Sequence, residues 1–123
     1  MSTAEGRDGQ RVPVNNEELE PFRIEVEPSR DVVRVVPVGE LDLATTDKLR
    51  EEIDRLHVAG FNRLVLDLRR LRFMDSTGLR LILEVDAASR EDGWDFSLVQ
   101  GPESVHRLFE VTNLTQRLDF VDR

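Results

Sequence analysis

The chain has 123 residues, 25 acidic and 17 basic, for a net charge of −8. That length holds one domain but not two ordinary ones. The lack of Cys removes disulfides, thiolate nucleophiles and thiolate metal sites, and an acidic chain without a dense basic cluster argues against direct nucleic-acid binding.

No apolar run approaches the roughly 18 residues of a membrane span, and no apolar stretch follows the first basic residue as a secretory signal requires. The expectation is a cytoplasmic protein without membrane attachment. Residues 1–20 are polar, contain Gly6, Gly9 and Pro13, and show no period. They predict a disordered or loosely attached tail ahead of one domain over residues 21–123.

From Phe22 the texture changes. Phe22, Ile24 and Val26 alternate with Arg23, Glu25 and Glu27, which predicts a half-buried strand. Pro28 to Asp31 supply a turn, and the β-branched run Val32 to Val38 returns as a second strand. Pro37 lacks an N–H, so its position should face a gap in the ladder or the strand end. A helix follows, with Asp42 as its N-cap, Leu49, Ile53 and Leu56 on its inner face, and Gly60 closing it. Arg63 to Leu68 predicts a third strand, with Leu64, Leu66 and Leu68 on one face and Val65 on the other.

A short loop, Arg69 to Phe73, then delivers Met74-Asp75-Ser76-Thr77-Gly78 to a second helix. Arg69, Arg70 and Arg72, the only dense basic spot in the chain, read as a solvated loop. The helix carries Leu79, Ile82, Leu83 and Ala87 on one side and stops at Gly93. Leu81 and Val85 widen the apolar arc, which fits either deeper burial or a partner-facing ridge. Trp94 reads as packing before a fourth strand, Phe96 to Val99. A third helix opens near Pro102, buries Val105, Leu108 and Phe109, and ends at a left-handed Asn113. Leu118 to Val121 can close the sheet. Strands separated by helices imply parallel pairing through right-handed crossovers. The fold class is α/β, a mixed, mostly parallel sheet of four to five strands with three main helices.

The segment around Ser76 has two physical readings. Asp75, Ser76 or Thr77 can simply cap the helix. Alternatively, an exposed hydroxyl at a helix N-terminus is a place where added phosphate meets free N–H groups and the positive end of the helix dipole. Arg80, four residues after Ser76, shares its helical face and could pair with such a phosphate; the simpler reading is a solvated Arg on a charged helix.

FMDSTGL (Phe73 to Leu79) is very similar to the signature of STAS domains in anti-sigma factor antagonists. GELDLATTDKL (Gly39 to Leu49) resembles the same family's strand-to-helix segment, and PESVHRLFEVTNL (Pro102 to Leu114) its third helix. The likeness runs from about Phe22 to Val121. It implies a STAS-like single domain in which Ser76 is phosphorylated by a partner kinase, with Thr77 the second choice. It also implies that Asp42 lies beside that site, and that Asp75, Thr77, Gly78, Leu79 and Arg80 are switch-site neighbours and partner-binding residues.

The implied partners are an anti-sigma factor that is a serine kinase of the GHKL ATPase type, and a serine phosphatase. The unphosphorylated protein would bind the kinase and release its sigma factor; phosphate on Ser76 would block that binding. Three features depart from the pattern: a second hydroxyl at Thr77, Asn113 where Gly is expected, and the polar tail over residues 1–20, longer than a minimal module needs.

An enzyme is the first rival. Only His57 and His106 are present, in different predicted helices. No nucleophile elbow or glycine-rich phosphate loop accompanies them, so neither catalysis nor a cofactor or metal is expected. The second rival is a sensor module of the same scaffold that binds a small molecule, nucleotide or lipid near Ser76.

Overall fold

The computed structural model describes residues 21–122; the tail expected over residues 1–20 lies outside them. Strands β1 (Arg23–Ser29) and β2 (Val32–Leu41) form an antiparallel hairpin with Ser29 opposite Val32. Helix α1 (Thr46–Val58) then crosses to β3 (Arg63–Asp67), which pairs parallel with β2. After a break at residues 68–70 comes β4 (Leu71–Met74), parallel to the last part of β2. Helix α2 (Ser76–Asp92), strand β5 (Asp95–Val99), helix α3 (Glu103–Val111) and the two-residue β6 (Phe120–Val121) complete the chain. The sheet runs β1-β2-β3-β5-β6, with β4 attached to β2.

The α/β reading stands, with one strand beyond the four to five expected. The loop placed over Arg69 to Phe73 is shorter than that, because Leu71 and Met74 turn inward, both buried, and pair with Gly39 and Leu41. β2 leaves β3 after Val35 and pairs with β4 from Gly39, and a register shift between Gly39 and Glu40 within that second pairing makes Arg72 an extra residue on β4. Pro37 sits between the β3-paired residues 32–35 and the β4-paired residues 39–41, at the expected gap in the ladder.

Register explains the core. Val33, Leu64 and Phe96 form one row across three strands, and Val35, Leu66 and Leu98 the next. All six are at most 4% exposed. Leu49, Ile53 and Leu56 of α1 join them in the same cluster, with Leu79, Ile82 and Val85 of α2 and Val105 and Phe109 of α3. Each such side chain taken from water contributes on the order of 1.5–3 kcal/mol before conformational entropy is set against it.

On α2 one open reading is decided and another corrected. Leu81 and Val85 are buried, so the wide apolar arc serves the core. Leu83 is only half-buried and Ala87 exposed, so the inner face is rotated from the one expected. Trp94 is packing, as expected, stacked on His57 with ring centroids 4.9 Å apart.

The opposite face of the sheet sets a charged cluster beside the buried Val36. Asp67 is buried there and accepts from Arg34 Nη1 at 2.9 Å, Arg69 Nη2 at 2.7 Å and the Arg69 backbone N–H at 3.0 Å. Burial alone would raise its carboxyl, but the hydrogen bonds from Arg69 and then Arg34 outweigh that and hold it below the usual carboxylate range.

All three helices end alike. Phe61, Trp94 and Leu114 donate their N–H groups back to Leu56, Ser89 and Phe109, the Schellman closure. The left-handed residue is Gly60, Gly93 or Asn113, the last with φ 60° as expected of an Asn in that role.

Candidate functional site

The switch segment is built on the paired ends of β2 and β4. Leu41 lies opposite Met74, and the Asp75 N–H donates to the Leu41 carbonyl at 3.2 Å. The ladder therefore runs to the residue before Ser76. Asp75 has extended backbone and is the N-cap of α2. Its Oδ1 accepts from the Thr77 N–H at 2.9 Å, the Gly78 N–H at 3.3 Å and the Thr77 hydroxyl at 2.5 Å. The Thr77 hydroxyl holds the Asp75 carboxyl below its usual range; burial opposes it, and the Gly78 and Thr77 backbone N–H groups add to the lowering.

The two physical readings of the segment are thus divided between residues. Asp75 does the capping. Ser76, the first helical residue, is exposed, and among the described residues neither its hydroxyl nor its backbone N–H has a hydrogen-bond partner. The Thr77 hydroxyl is half-buried and already engaged with Asp75.

Gly78 lies against the strands beneath. A Cβ there would stand 2.7 Å from Met74 Cγ and 3.0 Å from Leu41 Cγ and Cδ2. A bare Cα is what lets α2 begin this close to β2 and β4. Leu79, next to it, is only 8% exposed and belongs to the core cluster, so it supports the segment from below.

Asp42 follows Leu41 as Asp75 follows Met74, so the β2–β4 pairing brings the turn before α1 beside the start of α2. Asp42 is not the N-cap of α1. That position is held by Thr45, without a side-chain cap bond. Asp42 instead closes the preceding turn. Its N–H donates to Thr45 Oγ1 at 2.9 Å, its carboxylate accepts from the Ala44 N–H at 3.0 Å, and the Thr45 hydroxyl donates to the Glu40 carbonyl at 2.8 Å. These bonds keep residues 42–45 out of the helix, so α1 starts at Thr46.

Two residues missed as candidates give this end of the sheet its apolar character: Leu43 is 77% exposed and Phe73 47%. Leu43, an apolar residue set inside a polar turn, was the available signal; Phe73 was hidden in the segment read as a loop. Arg72 bonds Glu40 at 3.4 Å beside them. Arg80 is exposed on α2, and the next acid along the helix, Glu84, is held from α1 by Arg50 at 2.7 Å. Among the described residues no helix is long and apolar enough to cross a membrane.

A family model described as STAS domain matches residues 23–122. Over 102 residues, 82% of this chain and 87% of the relative, the sequence is 33% identical to an anti-sigma F factor antagonist of Paenibacillus polymyxa. Among solved structures, the fold is similar to a putative anti-sigma factor antagonist from Thermotoga maritima, with TM-score 0.71 and 25% identity, covering 89% of this chain and 92% of that one. It is also similar to the Bacillus cell fate determinant SpoIIAA in its phosphorylated form, with TM-score 0.64 and 23% identity over 84% and 91% of the two chains.

Proposed function

The chain belongs to the STAS domain family, and on that footing we propose that it is an anti-sigma factor antagonist whose docking is switched off by phosphorylation of Ser76. The observation that carries the reading is the Ser76 hydroxyl, exposed and without a hydrogen bond on a framework-held helix start, while the neighbouring Thr77 hydroxyl is occupied by Asp75. The curated relative is named for antagonism of an anti-sigma factor, and a solved neighbour is a phosphorylated protein.

In the unmodified state the end of the sheet offers Leu43 and Phe73 as apolar contacts around Ser76, with Asp42 and Asp75 as fixed polar groups. Docking there on an anti-sigma factor of the GHKL kinase type would release its sigma factor. In the modifying step the Ser76 oxygen attacks the γ-phosphorus of the kinase-bound ATP. The hydroxyl proton passes to a base on the kinase, and ADP leaves. A serine phosphatase reverses the step by adding water across the new P–O bond.

The phosphate adds about −1.5 to −2 charges at neutral pH, beside a carboxylate held in its ionised form. Desolvating that pair at an interface is costly. A loss of about 3 kcal/mol weakens binding by more than a hundredfold. No change of fold is needed.

The test is a titration of the purified chain against its anti-sigma partner. Ser76→Ala should bind as the unmodified protein does, and in the presence of ATP should stay bound. Ser76→Asp should bind weakly. Equal affinities for the two variants, or a phosphate mapped to Thr77 by mass spectrometry, would sink the proposal; equal affinities together with a co-purified small molecule would point to a sensor.

A further inference from the structure

The arginines around the switch segment are nearly all engaged. Arg50 holds Glu84 at 2.7 Å, Arg69 holds Asp67 at 2.7 Å, Arg70 holds Glu25 at 3.1 Å and Arg72 reaches Glu40 at 3.4 Å. Arg80 is the exception: among the described residues it has neither an ion pair nor a hydrogen-bond acceptor for its side chain. The reason lies in its two helical neighbours. Toward the C-terminus the residue four positions on is Glu84, which Arg50 has taken across the contact between α1 and α2. Toward the N-terminus the residue four positions back is Ser76. Side chains on a helix lean toward its N-terminus, so an Arg at this position covers the turn that Ser76 begins.

A phosphate on Ser76 would find few other donors in its own chain. Asp75 Oδ1 already occupies the N–H groups of Thr77 and Gly78, which leaves the Ser76 N–H alone at the helix start. The Asp75 carboxylate itself is a fixed negative neighbour. The bordering elements add Asp42 in the turn before α1, Asp47, Lys48 and Arg50 at the start of α1, and the Arg72–Glu40 pair on β4 and β2.

From this arrangement we propose that Arg80 is the positioning residue that receives the Ser76 phosphate, and that the Arg50–Glu84 bridge keeps it available by removing its competing acid. The proposal deepens the phospho-switch reading and draws its biological meaning from it. A charge-assisted contact from a guanidinium favours the fully ionised phosphate. The second proton of a phosphoserine leaves near pH 6, and the Asp75 charge pushes that value up toward neutrality. Arg80 opposes the push and keeps the added charge close to −2 at neutral pH.

The experiment uses the full chain with phosphoserine installed at position 76 during biosynthesis, so no kinase is involved, and follows the phosphorus NMR shift against pH. Arg80→Gln should raise the second phosphate pKa by about half a unit, the scale of a helix-surface ion pair strengthened by a doubly charged acceptor, and Arg80→Lys should restore part of the difference. Arg50→Ala, which frees Glu84 to compete for Arg80, should also raise the value, but only while Arg80 is present. Coincident titrations of the parent and Arg80→Gln would overturn the proposal, as would an Arg50→Ala shift that persists without Arg80. Either result leaves the switch reading intact. That reading fails separately, if Ser76→Ala and Ser76→Asp bind the partner alike.

Discussion

Replacing Gly78 by Val tests whether the switch residue depends on the close seating of α2. The new Cβ would lie 2.7 Å from Met74 Cγ and 3.0 Å from two Leu41 carbons, against about 3.5–4.0 Å for a relaxed carbon pair. Met74 can swing aside in part, but Leu41 is 0% exposed and paired with Met74 in the ladder, so the helix must lift. Overpacking of this kind costs roughly 1–3 kcal/mol, and the helix-propensity gain on replacing Gly recovers only a few tenths with Val. A net loss of about 2 kcal/mol lowers the melting temperature of a domain this size by roughly 8–16 °C. Thermal unfolding by circular dichroism reads the loss, and a parallel partner titration should show weakened binding, because the lift displaces Ser76 from Asp42. An unchanged melting temperature would refute the seating argument, and unchanged binding in a destabilised variant would separate the switch from it.

Leu43→Ser with Phe73→Ser should leave the melting temperature nearly unaltered, since both side chains are exposed, yet weaken partner binding about tenfold; equal affinity by calorimetry would remove these residues from the docking face. Asp67→Asn should destabilise by about 1–2 kcal/mol, because its buried carboxylate bonds two arginines that keep contact with water. The folded carboxyl lies below its unfolded value of about 3.9, so its contribution is full above that pH and lost as pH falls through the lower folded value. Urea unfolding of both proteins across the acid range should therefore show the parent converging on the variant, and parallel curves would contradict the assignment.

Much of this architecture was legible because each strand and helix repeats its own period. Leu64 and Leu66 on one face of β3 with Leu68 buried just past its end, and Asn113 in a left-handed closure, were readable from neighbours in the chain alone. What was not legible depends on distant partners. Leu71 to Met74 is too short to announce itself as a strand and becomes one only because β2 runs on past its pairing with β3 and meets it from Gly39. Asp42 looks like a cap by residue type, but the Thr45 hydroxyl, bonded back to Glu40, decides where α1 begins. On α2, apolar residues surround so much of the helix that periodicity could not select the inner face. Packing against Leu41 and Met74 chose it. At the site, Ser76 and Thr77 are equivalent hydroxyls on paper, and only the Asp75 bonds distinguish them.

The ladder bond from the Asp75 N–H to Leu41 has a consequence for binding kinetics. A recognition serine carried on a free loop must be ordered when its partner docks, and that ordering is charged against affinity at each encounter. Here β2 and β4 extend to within one residue of Ser76, so the docking face exists before the partner arrives and little chain entropy is left to lose. Phosphorylation then acts on a prepared surface. Its effect should fall chiefly on how fast the complex comes apart, with association slowed mainly to the extent that the added charge repels at a distance.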